Sequence, residues 1–355
     1  MSKDKDKGKD KDLASAIDDI FGGEPETVGV RHWLDTGYAP LNMALTGRPR
    51  EGLPVGRIVQ MYGDSSAGKT VISVDLMIAA QQAGGLALFM DHERTFMKPL
   101  AEQRGLDLTK GRFSLQYPRT FEESITKAVK WARYIRDNTL IPDSAPLVVV
   151  FDSLNSMVPQ SKMEKEMDEL KMNDKLALAA SCSSVFPALA VHAEETDCLM
   201  VFLDQIRQDP GVMFGDNTKT SGGKAPGFYS TVRIALNRKV IKEGGEELGQ
   251  SITAKIVKNK VGRPFRVAEW DFLFQEDGTG YLDRIGGMVD YLVKVGALKK
   301  AGAYIEYADK KYHRGPLVEA LRKADAYEAL VQLLEEYVKR TGSVADEVHD
   351  DPDTV

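Results

Sequence analysis

Cysteine is almost missing. Cys182 and Cys198 are the only two in 355 residues, they lack the paired spacing of a metal site, and two cysteines cannot staple a chain of this size, so a disulfide framework is excluded and a reducing, cytoplasmic setting fits. Long apolar runs are missing too. No stretch approaches the length of a bilayer-spanning helix, and the opening MSKDKDKGKDKD has none of the apolar character of a secretory leader, so the expectation is a soluble protein without a membrane partner. Nor is there an excess of positive charge. With 47 Lys and Arg against 53 Asp and Glu, the net charge is -6, which gives no global attraction to phosphate and confines any nucleic-acid surface to a local cluster of basic residues. Histidine is scarce, and no His or Cys has ligand spacing around His92, so no metal is expected beyond one carried by a nucleotide.

What is present is ordered along the chain. Hydrophobic residues make up 43%, enough for one substantial core and a small second domain. The Lys/Asp alternation of residues 3–12 has no apolar face, and residues 1–12 are expected as a solvated, disordered tail. Leu13, Ile17, Ile20 and Phe21 predict a short amphipathic helix that needs a partner surface, its own core or a neighbouring copy, and residues 13–56 read as that helix and a linker for subunit contact. From residue 57 short apolar runs at 57–62, 86–90, 147–151 and 199–203 alternate with helical periodicity over 71–83, 121–137 and 174–194. Further strands are expected at 232–236, 251–257 and 270–274. This pattern predicts an α/β fold with a mostly parallel central sheet over 57–276. Ile285, Val289, Leu292, Leu317, Leu321, Leu330 and Leu334 then predict a small α-rich C-terminal domain at 277–340. The acidic, Pro-containing segment 341–355 is expected to be disordered.

The chemistry concentrates at a few points. Gly63, Asp64, Ser65, Ser66, Ala67, Gly68, Lys69 and Thr70 match the phosphate-binding loop and lie where that loop works, after a strand and before an apolar helix. Backbone N–H groups there can turn to phosphate oxygens, Lys69 can reach the terminal phosphates, and the Thr70 hydroxyl can ligate magnesium. In a parallel sheet, ligands lie at the carboxyl edge. Three apolar strands end there in polar residues: Asp91-His92-Glu93, Asp152-Ser153 and Asp204-Gln205. Asp152 is placed to hold the magnesium shell, Glu93 to orient an attacking water and Gln205 to sense the γ-phosphate. Taken singly, each is equally well a strand-end cap or turn residue; their convergence with the loop argues for a site.

Between residues 33 and 335 the chain resembles the bacterial RecA recombinases, phage-encoded versions included. The resemblance is carried by GDSSAGKT, FMDHE, VVVFDS, DQIRQDPGVMFG followed by TSGGKAPGFYSTVR, VKNKVGRPF and KAGAYIEY. The run QIR…GVMFG…GG…FY is far more specific than the phosphate loop, which many unrelated ATPases share. The resemblance implies a RecA-type ATPase core, ATP and magnesium as cofactors, DNA-stimulated ATP hydrolysis, and helical filaments on single-stranded DNA that pair it with double-stranded DNA in recombination and repair. It further implies that Glu93 is the general base, that Asp152 holds magnesium, and that Gln205 links the γ-phosphate to a DNA loop at 206–228. A first DNA loop is implied at 164–173, with Met172 in it. Lys258 and Lys260 correspond to lysines that reach the γ-phosphate of the adjacent subunit. Loader or single-strand-binding proteins would be further partners.

The second loop supports its role on physical grounds. Gly211, Gly215, Gly222, Gly223 and Gly227 make it too flexible to order alone, so ordering on a ligand is a reasonable function. Arg207, Lys219 and Lys224 can meet phosphates, while Met213 and Phe214 can stack on bases without reading sequence; a plain mobile surface loop is the alternative. Three positions depart from the family: Leu100 stands where a base-stacking tyrosine is common, Pro210 where an aliphatic wedge is usual, and Asp204 replaces an asparagine. Two other readings share the loop, Glu93 and Asp152: a ring-forming hexameric helicase or translocase, and a regulatory filament that uses ATP only as a switch. The QIR…GVMFG…GG run argues against the first and Glu93 against the second.

Overall fold

A computed structural model describes residues 29–164, 176–208, 218–275 and 279–342. The expected charged tail, the short helix at 13–21, nearly all of the first DNA loop with Met172, the Pro210, Met213 and Phe214 positions and the acidic tail lie outside these residues. From His32 onward the chain forms one compact unit.

Two short strands, β1 (Trp33–Leu34) and β2 (Leu53–Pro54), pair beside a central sheet. That sheet is built from β3 (Ile58–Gly63), β4 (Leu86–Asp91), β5 (Phe113–Gln116), β6 (Leu147–Asp152), β7 (Cys198–Gln205), β10 (Val232–Glu243), β11 (Glu246–Asn259), β12 (Val267–Phe274) and β13 (Gly280–Leu282), while β8 (Arg207–Gln208) and β9 (Thr218–Lys219) form a separate pair. The order across the sheet is β13-β12-β11-β10-β3-β7-β6-β4-β5. The six strands from β10 to β5 run parallel, and β11, β12 and β13 continue antiparallel.

The parallel strands are apolar on both faces because both faces are covered. Val148, Val150, Val201 and Leu203 pack with Ile72, Leu76 and Met77 of the helix Lys69–Gln82 on one side. Val149, Phe151, Met200 and Phe202 pack with Phe121, Ile125, Phe186 and Leu189 on the other, where helices Phe121–Asp137 and Ala177–Glu195 lie. The Phe151 and Phe202 rings stack with centroids 4.3 Å apart. Helix Phe121–Asp137 starts where Thr120 Oγ1 accepts the Glu123 N–H at 3.1 Å and Glu122 and Glu123 face the positive end of the dipole.

The C-terminal part is less helical than the sequence suggests. Helices Arg284–Lys294, Arg314–Lys323 and Tyr327–Thr341 surround a cluster containing Met288, Leu292, Leu317 and Leu330, but a three-stranded antiparallel sheet of β14 (Lys300–Ala301), β15 (Tyr304–Tyr307) and β16 (Lys310–His313) joins them. Those strands are two to four residues long, too short for a two-residue period to register. Residues 33–56 also do more than link: Leu34, Leu41 and Leu45 enter the main core, and Ala39 and Met43 enter the C-terminal cluster.

Candidate nucleotide site and its DNA-facing segment

The parallel strands end at one edge, and the phosphate loop turns there between Gly63, the last residue of β3, and the helix beginning at Lys69. Asp64, Ser65 and Ser66 are exposed, Ala67 is buried, and Gly68 takes a left-handed φ of 81° as the residue before the helix. Lys69 is buried, and its Nζ donates to the carbonyls of Gly63 at 2.9 Å and Asp64 at 2.7 Å. Burial lowers its pKa, and Asp152 and Glu93 oppose that shift. A cleft of about 310 Å³ opens here, walled by Lys69, Thr70, Glu93, Asp152 and Gln205 on the loop side and by Gln250, Ile252, Phe272 and Phe274 on the other.

The three predicted strand ends converge in this cleft. Thr70 Oγ1 donates to Asp152 Oδ2 at 3.0 Å. Burial, reinforced by the nearby Glu93 carboxylate, pushes Asp152 up to about 7. Glu93 Oε1 accepts from Gln205 Nε2 at 3.1 Å, from Ser156 Oγ at 3.3 Å and from Ser153 Oγ. Asp91 is a turn residue: its carboxylate accepts the N–H groups of Arg94 at 2.6 Å and Phe96 at 3.1 Å. His92, whose Nε2 is buried without a partner, is held by burial at about 4 and stays neutral near pH 7. The adjacent hydroxyl and carboxylate of Thr70 and Asp152 are hard oxygen donors, and they fit a magnesium ion that keeps its other ligands from phosphate and water.

Sequence reasoning missed the far wall. Gln250 and Ile252 share one face of β11, and Phe272 and Phe274 share one face of β12. Such i, i+2 pairs on neighbouring amphipathic strands were the available signal. Leu100, 42% exposed on the helix Lys98–Gln103, does not line the cleft.

Lys258 and Lys260 are not brought to the cleft of their own chain. Lys258 pairs with Arg233 near the start of β10, and Lys260 N–H donates to Thr231 O at 3.0 Å, whereas Leu236 further along β10 is the residue beside Gly63. Both lysines therefore sit toward the opposite edge of the sheet. From Ile252 to Lys258 the strand rises by six residue steps, about 20 Å at the usual rise. Lys258 Nζ donates to Gly227 O at 2.8 Å and Phe228 O at 2.7 Å, and both ammonium groups lie 5.9 Å from the centroid of Phe228, which is 67% exposed. Burial, then the neighbouring Lys260 and Arg233 charges, lowers Lys258 to about 8.

The segment after Gln205 joins the two edges. Arg207 pairs with Lys219 and Gln208 with Thr218, forming a short two-stranded neck. Lys219 and Lys224 are exposed. Gly222 is buried rather than free, with a φ of 74°, and Gly223 follows it with a φ of 73°. The helix Ala225–Tyr229 then leads into β10.

Fold and site together define an α/β protein of the phosphate-loop ATPase class, with acidic strand ends facing the loop. A profile of the RecA N-terminal domain matches residues 20–279. Protein RecA of Chloroherpeton thalassium is 35% identical over 291 residues, covering 81% of this chain and 76% of that protein. Protein RecA of Teredinibacter turnerae is 32% identical over 345 residues, 94% of each, and that of Paracoccus denitrificans is 31% identical over 322 residues, 88% of this chain and 84% of the relative. The chain belongs to the RecA family of recombinases, and this membership disfavours the ring-forming helicase and the purely regulatory filament.

Proposed function

We propose that the protein binds ATP in the cleft between Lys69 and Phe274, polymerises on single-stranded DNA, and hydrolyses ATP at the contact between successive protomers while it pairs that strand with duplex DNA. Lys69 and the loop amides hold the phosphates, Phe272 and Phe274 offer the base an aromatic wall, and Glu93 orients the attacking water. Thr70 and Asp152 would hold magnesium, which neutralises charge developing on the phosphates. Gln205 reports the γ-phosphate to the segment 206–228, where Arg207, Lys219, Lys224, Met213 and Phe214 meet DNA backbone and bases; Met172 does so from the first loop. Gly222 and Gly223 act here as the rigid stem of the second loop.

One observation carries this reading. The Gln205 amide bonds Glu93 inside the cleft, and the very next residue enters the segment expected on DNA. The placement of Lys258 and Lys260 toward the far edge of the sheet supports the intersubunit part, because lysines about 20 Å from their own phosphates can serve only those of another copy. The domain reading follows: a subunit-contacting N-terminal segment to residue 56, a core to 276 and a small C-terminal domain to 340. Electron microscopy with single-stranded DNA and a slowly hydrolysed ATP analogue tests it. Helical filaments that need the analogue and disappear in Lys69→Ala are expected; closed hexamers, or protomers that bind nucleotide without assembling on DNA, would overturn it.

A further inference from the structure

Asp204 stands one residue before Gln205, yet its carboxylate faces away from phosphate chemistry. It is fully buried on β7, opposite Tyr62 of β3. Its Oδ1 accepts the Gln205 N–H at 2.9 Å, and its Oδ2 accepts the Ser221 N–H at 2.9 Å and the Gln60 amide at 3.2 Å. Gln205 and Ser221 each lie two residues outside the β8–β9 neck, so one carboxylate holds both feet of the proposed second DNA loop. The contacts continue inward. Gln60, also fully buried, accepts from Arg233 Nε at 2.9 Å, and the Arg233 guanidinium lies 4.8 Å from the Tyr62 ring centroid and against Gly227. Gly227 in turn accepts from Lys258.

We infer that Asp204 is a positioning residue that clasps the two feet of the 206–220 segment, so that a displacement of Gln205 at the nucleotide is passed to the DNA-facing neck and, through Gln60 and Arg233, to the Lys258 edge. The acceptor count makes the carboxylate specific. Three N–H donors converge on two oxygens, and an amide at this position would turn an NH2 group onto one of them, leaving buried donors facing each other. Burial holds the Asp204 carboxyl up at about 6, so near pH 7 it is mainly ionised and able to accept all three bonds.

This inference rests on the nucleotide and DNA reading above, and its test separates the two. The quantity measured is the ratio of affinities for a slowly hydrolysed ATP analogue with and without single-stranded DNA, for the full chain at pH 7.5. A wild-type ratio near one overturns the functional reading itself. With a wild-type ratio well above one, Asp204→Asn lowers it about tenfold, the loss expected for a charge-assisted bond left unmade. Ser221→Pro, which removes the N–H together with the hydroxyl that also bonds Asp204, lowers it similarly. Ser221→Ala, which removes the hydroxyl and keeps the N–H, lowers it less, and the Asp204→Asn, Ser221→Pro double variant adds nothing further. An Asp204→Asn ratio equal to wild type, or fully additive losses, overturns the clasp. Hydrogen exchange on the unmodified protein covers the case in which a variant fails to fold. The Ser221 amide is expected to exchange at least tenfold more slowly than that of Thr220, and equal rates would refute the bond.

Discussion

Gly222 offers a direct measure of whether the stem of the segment proposed to meet DNA is built or loose. A Cβ added there would lie 2.9 Å from Cys182 Sγ, 3.0 Å from Pro226 Cγ and 3.1 Å from Leu154 Cδ2, at a backbone φ of 74°. The left-handed backbone alone costs a non-glycine residue about 1–2 kcal/mol. Relieving three close contacts in a packed turn adds about 1–3 kcal/mol. Gly222→Ala should therefore destabilise the folded chain by roughly 2–5 kcal/mol. Gly245, at the tip of the β10–β11 hairpin, separates the two contributions: its φ is 93°, and a Cβ there meets nothing within 4 Å, so Gly245→Ala carries only the backbone cost. Urea unfolding of the two variants beside wild type, followed by circular dichroism, gives the comparison, and DNA-stimulated phosphate release shows whether the strained stem still transmits. Equal midpoints for the two variants would refute the packing of the stem beneath the helix Ala177–Glu195.

Glu93→Gln keeps an oxygen acceptor for Gln205 and the two serines but cannot take a proton; phosphate release should fall about 10²- to 10⁴-fold while ATP-supported assembly on DNA persists, and a rate within threefold of wild type would remove Glu93 from the chemistry. Phe274→Ala strips the cleft of a stacking wall and should raise the KM for ATP about tenfold with little change in kcat, measured by steady-state hydrolysis; an unchanged KM would place the base elsewhere. For Lys258 the sign follows from its depressed value of about 8. Below that pH the amine enters the contact already charged, whereas above it each closing contact must first take up a proton, so assembly with the analogue should weaken by up to about tenfold per pH unit above 8. Lys258→Arg, charged throughout, should flatten that limb; a wild-type critical concentration that does not change between pH 7 and 9.5 would contradict the assignment.

The readable parts of the fold were those whose environment is uniform along the chain. β4, β6 and β7 are covered on both faces, so LALFM, LVVVF and LMVFL stand out as unbroken apolar runs. The phosphate loop was legible because backbone geometry and side-chain chemistry are both written into eight consecutive residues. β5, four residues long and three of them half-buried, left no such run. The outer parts of β10 and β11 carry charged, exposed residues, so only their inner stretches were anticipated. Within the site, Glu93, Asp152 and Gln205 could be found because parallel strands end at one edge. The far wall of the cleft, the anchored state of Gly222 and the partners of Asp204 depend on contacts between residues distant in sequence. Asp204 and Ser221 are 17 positions apart and Gln60 lies 144 away, and no local pattern encodes such meetings.

The sheet register also constrains how copies must assemble. If Lys258 and Lys260 complete the cleft of a neighbour, the contact joins one edge of the sheet in one protomer to the other edge in the next. Such a contact is heterologous: the two surfaces differ, and no twofold axis can relate them. A heterologous contact repeats without end unless its rotation happens to close, so the same local geometry yields either a ring or a helix. Residues 218–231 then acquire their significance from running between the two edges within a single protomer, with Ser221 tied through Asp204 to Gln205 at the nucleotide edge and Phe228 beside the lysines. On that reading each subunit would carry a physical connection from the cleft it owns to the cleft it completes, and nucleotide state could bias the next contact along the row only if that connection is stiff. The packed Gly222 turn and the Asp204 bonds supply that stiffness at one end, and the two Lys258 bonds to the Gly227 and Phe228 carbonyls supply it at the other.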